Sequence, residues 1–322
     1  MNVAPLLSAP RLTALAPFAL AVLLYVVTAA LLPGYASLGS LRSLLLLSSL
    51  LGIASFGQTL CIIMGGVDLS VPAVIGFADV MFVILYGHGT PAWIAIVIIL
   101  SAATAIGLIN AFISRLLSVN SLIVTLATGT IVLGAIWAST HGNMFGTLPE
   151  WLISMISVVG TTGPIPLPGA VLLWMLLAVV GIVIERRTVL GRWTFALGAN
   201  HRAAALAHVP TMTTWATVFA ISAFLSGVAG VLLAGFSGAA DPSVGDAYLY
   251  NTLSAVVIGG TPLIGGRGGY GRTIAGCFII TELTILLIGL GLDVPAQQVC
   301  LGALIIVLVG LYGREPHIST QI

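Results

Sequence analysis

The sequence predicts an all-α polytopic membrane protein of about ten transmembrane helices, with the N and C termini both cytoplasmic. Three observations carry that prediction. Hydrophobic residues make up 59% of the 322 and charged residues only 6%, where a soluble globule carries roughly a quarter charged residues. Mean hydropathy is +1.19. Apolar runs long enough to cross a bilayer recur from end to end, and the arginines between them fall almost entirely on one side once the runs are threaded.

The elements follow in order. Residues 12–32 are apolar behind Arg11, too long for a signal-peptide core, and form a retained first span with its N-terminus inside. An external turn at 33–43 leads to the second span, 44–64. There GGVDLSVPAVIG (65–76) interrupts the apolar run with glycines, an aspartate and a proline before the third span continues to about Tyr86. Residues 87–90 turn outside. Spans four and five cover 91–114, stopped by Arg115, and 121–141. Residues 142–168 form the longest external segment, within which 148–159 has helical apolar spacing around Glu150 and predicts a helix along the membrane surface. Span six is 169–184 and span seven 213–234, with 236–250 external and carrying Asp241 and Asp246. A short apolar eighth piece, 251–264, ends in GGRGGYGR (265–272), and 273–290 and 296–312 complete the count. All of 1–322 reads as one transmembrane domain.

In this threading nine of the ten arginines lie inside and only Arg42 outside, the distribution the positive-inside rule requires. Glu150, Asp241, Asp246 and Asp293 fall outside, where an acidic face suits a basic patch on a soluble partner or is simply tolerated on the translocated side. The net charge of +1 speaks against nucleic-acid binding, which needs a clustered basic face. The chain contains no lysine, so it cannot hold ATP through a GxxxxGK[ST] loop. Cys61, Cys277 and Cys300 lie in apolar segments without metal-ligand spacing and read as small hydrophobes.

The one long polar stretch near mid-chain, 185–212, holds Arg186, Arg187, Arg192 and Arg202 and is held inside by them. From 199 to 208 it predicts a short helix: Asn200 as N-cap, Ala203 to Ala205 as strong helix formers, Pro210 as the stop. Two readings stand for it, a knob held by another protein and a mere tethered loop.

Three ionisable residues sit in or beside apolar segments, where charge is costly and function is the default expectation. Asp68 reads as a helix cap, with Pro72 in the first turn. Asp79 and Glu282 either face a central cavity or pair with hydroxyls on a neighbouring helix. Glycines 65, 66, 259, 260, 265, 266, 268 and 269 mark close backbone approach. IMGGVDL (63–69) and VIGGTPL (257–263) echo each other and hint at an internal duplication.

Together these residues resemble a family. GGVDLS (65–70), TLATGTIVLG (125–134), LGRWTFALGANHRAAALAHV (190–209) and LSAVVIGGTPLIGGRGGYGRTIAGCFI (253–279) are similar, in the right order, to the signatures of the inner-membrane permeases of ribose-type monosaccharide ATP-binding cassette (ABC) importers. The resemblance implies a type II ABC importer-like permease fold with a cytoplasmic coupling helix seated in a separate ATPase, which makes Asn200, Arg202, Ala203, Ala204 and Leu206 the contact residues. It implies no cofactor in this chain, ATP and Mg being bound by the ATPase; a second permease chain, identical or homologous; a periplasmic or lipid-anchored solute-binding protein; and a bacterial inner-membrane location. The structural motif residues would be Gly65, Gly66, Asp68, Gly259, Gly260, Gly265 and Gly266. Departures from the pattern include Pro262 for a common Ser and His208 for a Gly.

Alternating access through such a permease needs a modestly polar lining, since capture occurs on the binding protein. Spans two, five and eight offer Gln58, Thr59, Thr125, Thr128, Asn251, Thr252 and Ser254, whose hydroxyl and amide groups suit sugar hydroxyls or serve as interhelical hydrogen bonds. Competing readings are a proton-coupled secondary transporter using Asp79 or Glu282, and an ABC permease for another small solute such as a branched-chain amino acid or an autoinducer. A receptor or purely structural role gives no reason for a glycine-dense core with a cytoplasmic knob.

Overall fold

The computed structural model describes residues 9–312, with side chains placed from 15 to 304 and at 306; Arg314 and the two termini, whose cytoplasmic placement the sequence predicts, lie outside the described residues. Each expected apolar segment contains a helix. In order these are α1 (Ala9–Leu31), α2 (Leu38–Ile63), α3 (Val71–Gly87), α4 (Ala92–Leu116), α5 (Ser121–Thr140), α6 (Glu150–Ile156), α7 (Gly169–Arg187), α8 (Val189–Ala199), α9 (His201–Leu206), α10 (Thr211–Ser237), α11 (Asp246–Ile258), α12 (Tyr270–Gly289) and α13 (Val294–Tyr312). Six of them, α2, α4, α5, α7, α10 and α12, are long and apolar enough to cross a membrane. The surface helix expected within 148–159 is α6, a short piece whose Leu152 and Ile156 face the body.

Which helices are central follows from how much of each is covered. In the most apolar window of α2, 94% of residues are buried, and in that of α10, 78%, against 22% in α4 and 28% in α5. So α2 and α10 form the axis, and α4 and α5 keep an outward apolar face. The axis is tight because small residues sit at the crossings: Gly57 of α2 lies on the Ser222 backbone of α10, Gly107 of α4 on the Phe219 carbonyl, and Gly230 of α10 on the Ile75 carbonyl of α3. Any Cβ there would meet backbone, the small-residue packing on which helix association in lipid depends.

Two segments break the simple hairpin picture. Residues 64–70 leave the helix and pass along the start of α5: the Val67 N–H donates to Ser121 Oγ at 3.1 Å and the Leu69 N–H to Thr125 Oγ1 at 2.9 Å, and Gly129 lies against Ser70. Helix α3 therefore begins about 12 Å, some two turns, into α5. Residues 238–245 run the other way along α3, the Asp241 N–H bonding Asp79 Oδ1 at 2.8 Å and Gly245 reaching the Pro72 carbonyl. The 13-residue α11 starts there. At about 20 Å it is too short to cross a hydrocarbon core of about 30 Å. The expected eighth span is thus helical only as far as Ile258, with turns from 259 on, and residues 238–245, part of the 236–250 expected as external, pack along α3. Irregular backbone survives at such depth because it is buried in protein with its polar groups matched.

The echoed motifs have a local cause. After α2, Gly65 (φ 89°) donates to Ile62 and Gly66 to Cys61; after α11, Gly260 (φ 82°) donates to Val257 and Thr261 to Val256. Both are Schellman helix stops, in which a left-handed residue, nearly free of cost for glycine, caps the orphan carbonyls. The glycine loop that follows α11 meets the α2 stop, the Gly266 N–H donating to the Ile63 carbonyl at 2.8 Å.

Candidate coupling and translocation sites

The polar mid-chain stretch is a two-helix hairpin. Thr188 caps α8, its Oγ1 accepting from the Gly191 N–H at 3.4 Å, and Asn200 caps α9 as the sequence predicts, its Oδ1 accepting from the Ala203 N–H at 3.0 Å. The expectation covered only the second helix; α8 was legible in the sequence as Thr188 followed by an apolar, glycine-containing run. The end of α9 is a third Schellman stop: His208 donates to Ala205 and Val209 to Ala204, with His208 itself left-handed at φ 56°. Asn200, Arg202 and Ala203 are exposed, as is Leu206 at 82%. Ala204, also expected at the contact, is 4% exposed and belongs to the main apolar core, so its methyl packs the hairpin onto the body.

The hairpin is seated hard on the end of α2 and the glycine loop before α12. Gly198 abuts the Ile63 carbonyl and the Gly266 nitrogen, and Gly266 lies over Ala199. Behind it Glu185, expected among the polar cytoplasmic residues, is 6% exposed. Its Oε2 accepts the Tyr270 N–H at 2.6 Å. The Tyr270 hydroxyl accepts from Trp174 Nε1 at 2.9 Å and donates to the Gly52 carbonyl at 2.8 Å. Thus α7, α12 and α2 are tied together beside the hairpin, and displacement of α8–α9 bears directly on the ends of α2 and α12.

Asp68 is not the cap of α3. Ser70 holds that place without a side-chain capping bond, and Pro72 falls in the first turn. Instead the Asp68 carboxylate, 2% exposed, accepts from the Ser70 N–H at 3.0 Å, the Ser70 hydroxyl at 2.5 Å and the Ser222 hydroxyl at 2.8 Å. Asn110 Nδ2 donates to Ser70 Oγ at 2.9 Å, so one buried network joins the 64–70 segment to α4 and α10. Asp79 holds the 238–245 segment through one oxygen, and its other oxygen has no partner among the described residues. Glu282 faces the α1–α2 turn, accepting from the Tyr35 hydroxyl at 2.9 Å.

The residues expected to line a path divide. Thr125 serves the Leu69 backbone, Thr59 bonds Thr273 Oγ1 at 3.1 Å and Thr252 donates to the Tyr248 carbonyl at 2.7 Å. These three are structural hydrogen bonds. Gln58 on α2 and Ser254 on α11 are fully buried and their polar atoms have no partner among the described residues; their helices pack together. Asn251 and Thr128 are partly exposed. Because α5 packs on α3 and α4, Thr125 and Thr128 are not gathered with the α2–α11 pair.

Residues 40–309 match the family model described as branched-chain amino acid transport system / permease component. The chain belongs to this permease family. It is 30% identical over 286 residues to the L-arabinose transport system permease protein AraH of Escherichia coli (strain K12), covering 89% of this chain and 86% of that one. It is 28% identical to the ribose import permease protein RbsC of Haemophilus influenzae, covering 89% of each. It is 29% identical to the autoinducer 2 import system permease protein LsrD of Yersinia enterocolitica, covering 74% of this chain and 70% of that one. No solved structure matches the chain. The permease is therefore a multi-pass membrane protein whose relatives are transport permeases.

Proposed function

We propose that the chain is the transmembrane subunit of an ABC importer that moves a monosaccharide or sugar-like solute across the bacterial inner membrane. The carrying observation is the family match over 40–309 joined to a hairpin on which Asn200, Arg202, Ala203 and Leu206 are exposed. A separate ATPase would grip α9, and closure of the ATPase pair would press the hairpin against the ends of α2 and α12. In this reading the chain crosses ten times, with α3 and α11 as partial helices completed by non-helical chain, and the arginines lie mostly inside. A second permease chain would complete the path, and a solute-binding protein would deliver to the outer mouth.

Gln58 and Ser254 are the path residues this reading favours. A buried amide and hydroxyl without protein partners leave donors and acceptors for a solute's hydroxyls. The names of the relatives, which concern arabinose, ribose and autoinducer 2, support a sugar-like solute over a branched-chain amino acid. The test is to tag the chain, extract it gently from its native membrane and identify by mass spectrometry what accompanies it. A stoichiometric ATPase is expected; repeated isolation of the chain alone would favour a proton-coupled transporter, with Asp79 and Glu282, each of which keeps an oxygen without a partner among the described residues, as the first residues to change.

A further inference from the structure

A pocket of about 520 Å³ opens where the hairpin meets the body, between the end of α4, the α8–α9 junction and the start of α10. Its polar lining is Arg115, Asn200, His201, Arg202 and Trp215, and no carboxylate lines it. Arg115 is held in place: its guanidinium lies 5.3 Å from the centre of the Trp215 ring, which stacks on Phe219 with centroids 5.4 Å apart. His201 meets the same indole edge-on at 6.5 Å. Trp215 is 7% exposed, and its indole nitrogen and His201 Nε2 have no hydrogen-bond partner among the described residues. Unsatisfied buried nitrogens are uncommon and call for an explanation.

The chemistry of this set is one-sided. Two guanidiniums from different elements and an amide line one space, with the imidazole and indole rings packed behind them, and no carboxylate answers their charge. Arginine forks match the oxygens of phosphate and carboxylate. Several donors arriving from separate elements suit a tetrahedral anion with free oxygens on several sides better than a planar carboxylate. The volume exceeds a bare ion and falls in the range of sites for small organic molecules.

We propose that this pocket binds a phosphate-bearing small anion, its phosphate held between Arg115 of α4 and Arg202 of α9. Occupancy bridges the hairpin to α4 and so stiffens the element through which the permease would be driven. The side of the membrane that supplies the ligand rests on the proposed topology; the binding itself does not. Two sources carry the same chemistry, a soluble phosphate ester and an anionic lipid headgroup, the latter because Leu116 and Leu117 beside Arg115 are 78% and 62% exposed.

The experiment uses the full chain in nanodiscs of phosphatidylcholine alone, with radiolabelled ribose 5-phosphate as the soluble probe and neutral ribose as the control. A second set of discs contains phosphatidylglycerol, and its retention on the extracted chain is measured by native mass spectrometry. Saturable binding of about one ribose 5-phosphate per chain is expected, absent for ribose and weakened about tenfold in Arg202→Gln, an exposed position that leaves the fold intact, and in Arg115→Gln. Retention of phosphatidylglycerol alone, with the same dependence on both arginines, identifies the headgroup as the source. The proposal is overturned if neither probe binds, if ribose binds equally, or if Arg202→Gln leaves binding unchanged. Because no ATPase is present, failure here and failure of the transporter reading are separate results.

Discussion

The carboxylate of Glu185, at the end of α7, accepts the backbone N–H of Tyr270, the first residue of α12, at 2.6 Å. A helix N-terminus leaves its first N–H groups without intrahelical partners and carries partial positive charge, so a buried carboxylate there matches both needs. The same contact places the start of α12 directly behind the α8–α9 hairpin. Glu185→Ala is expected to leave that N–H orphaned and cost about 1–3 kcal/mol, read as a lower thermal unfolding midpoint in detergent. Glu185→Gln keeps a carbonyl oxygen and recovers most of the loss. Equal midpoints for Ala and wild type would remove the contact from any account of stability.

His208 occupies the left-handed position that ends α9, with φ 56°, and is exposed. A side chain there carries a steric penalty of about 1–2 kcal/mol that glycine does not. The family signature has glycine at this place, so the departure seen in the sequence falls where geometry makes it costly. His208→Gly is expected to stabilise the protein by about 0.5–1 kcal/mol, the gain being reduced by the greater chain entropy of glycine. Thermal unfolding of the two proteins at one pH reads it, and a lower midpoint for the glycine variant would count against the assigned conformation.

Asp68 gathers three donors from two elements in a site that excludes water. Removing it as Asp68→Ala strands the hydroxyls of Ser70 and Ser222 and the Ser70 N–H, so a loss of about 2–4 kcal/mol and poor membrane yield are expected. Asp68→Asn, which keeps one acceptor oxygen, should fall between. Size-exclusion profiles of the extracted variants check the order, and an Ala variant as monodisperse as wild type would contradict it.

Helix positions were legible because a bilayer imposes a length on apolar runs, and α2, α4, α5, α7, α10 and α12 lie within a few residues of where those runs begin and end. Depth was not legible. Hydropathy cannot tell a span entered from the surface from α3 or α11, which start inside the bundle after non-helical chain. Nor does composition separate Glu185 from Arg186 and Arg187: the three are consecutive, and only the packing turns one inward. Of the site, the Asn200 cap was read from local rules, whereas the glycines were read as close approaches and not as the helix stops they form. The polar path residues were not separable, because a buried hydroxyl that bonds its own helix and one that awaits a solute look alike in sequence.

His201 lies outside the spans, and burial, with the positive charge of Arg115 adding to it, holds its imidazole below the usual range. The sign follows from proton uptake. The unfolded chain protonates near about 6.5, whereas the folded chain does so only at lower pH, so the unfolded state binds more protons in between and stability falls as pH drops through that window. His201→Gln is expected to flatten this slope while leaving the midpoint at pH 8 nearly unchanged. Unfolding midpoints between about pH 5 and 8 for both proteins measure it, and parallel curves would show that His201 does not contribute.

The exposed and buried faces of α9 give the sharpest test of coupling. Ala204, 4% exposed, packs inward, and Leu206, 82% exposed, projects outward from the last turn. A charge at Ala204 would be buried without a partner and would dislodge the hairpin, so Ala204→Asp is expected to abolish uptake together with thermal stability and says little about a partner. Leu206→Asp leaves the fold alone, since its side chain touches mainly solvent, but places a carboxylate where an ATPase cleft would receive an apolar tip. It is expected to keep the wild-type midpoint while weakening ATPase co-purification and lowering uptake about tenfold or more, the cost of burying one charge in an apolar contact. Undiminished uptake with Leu206→Asp would mean that α9 is held by other residues, and Arg202 and Ala203 would be next.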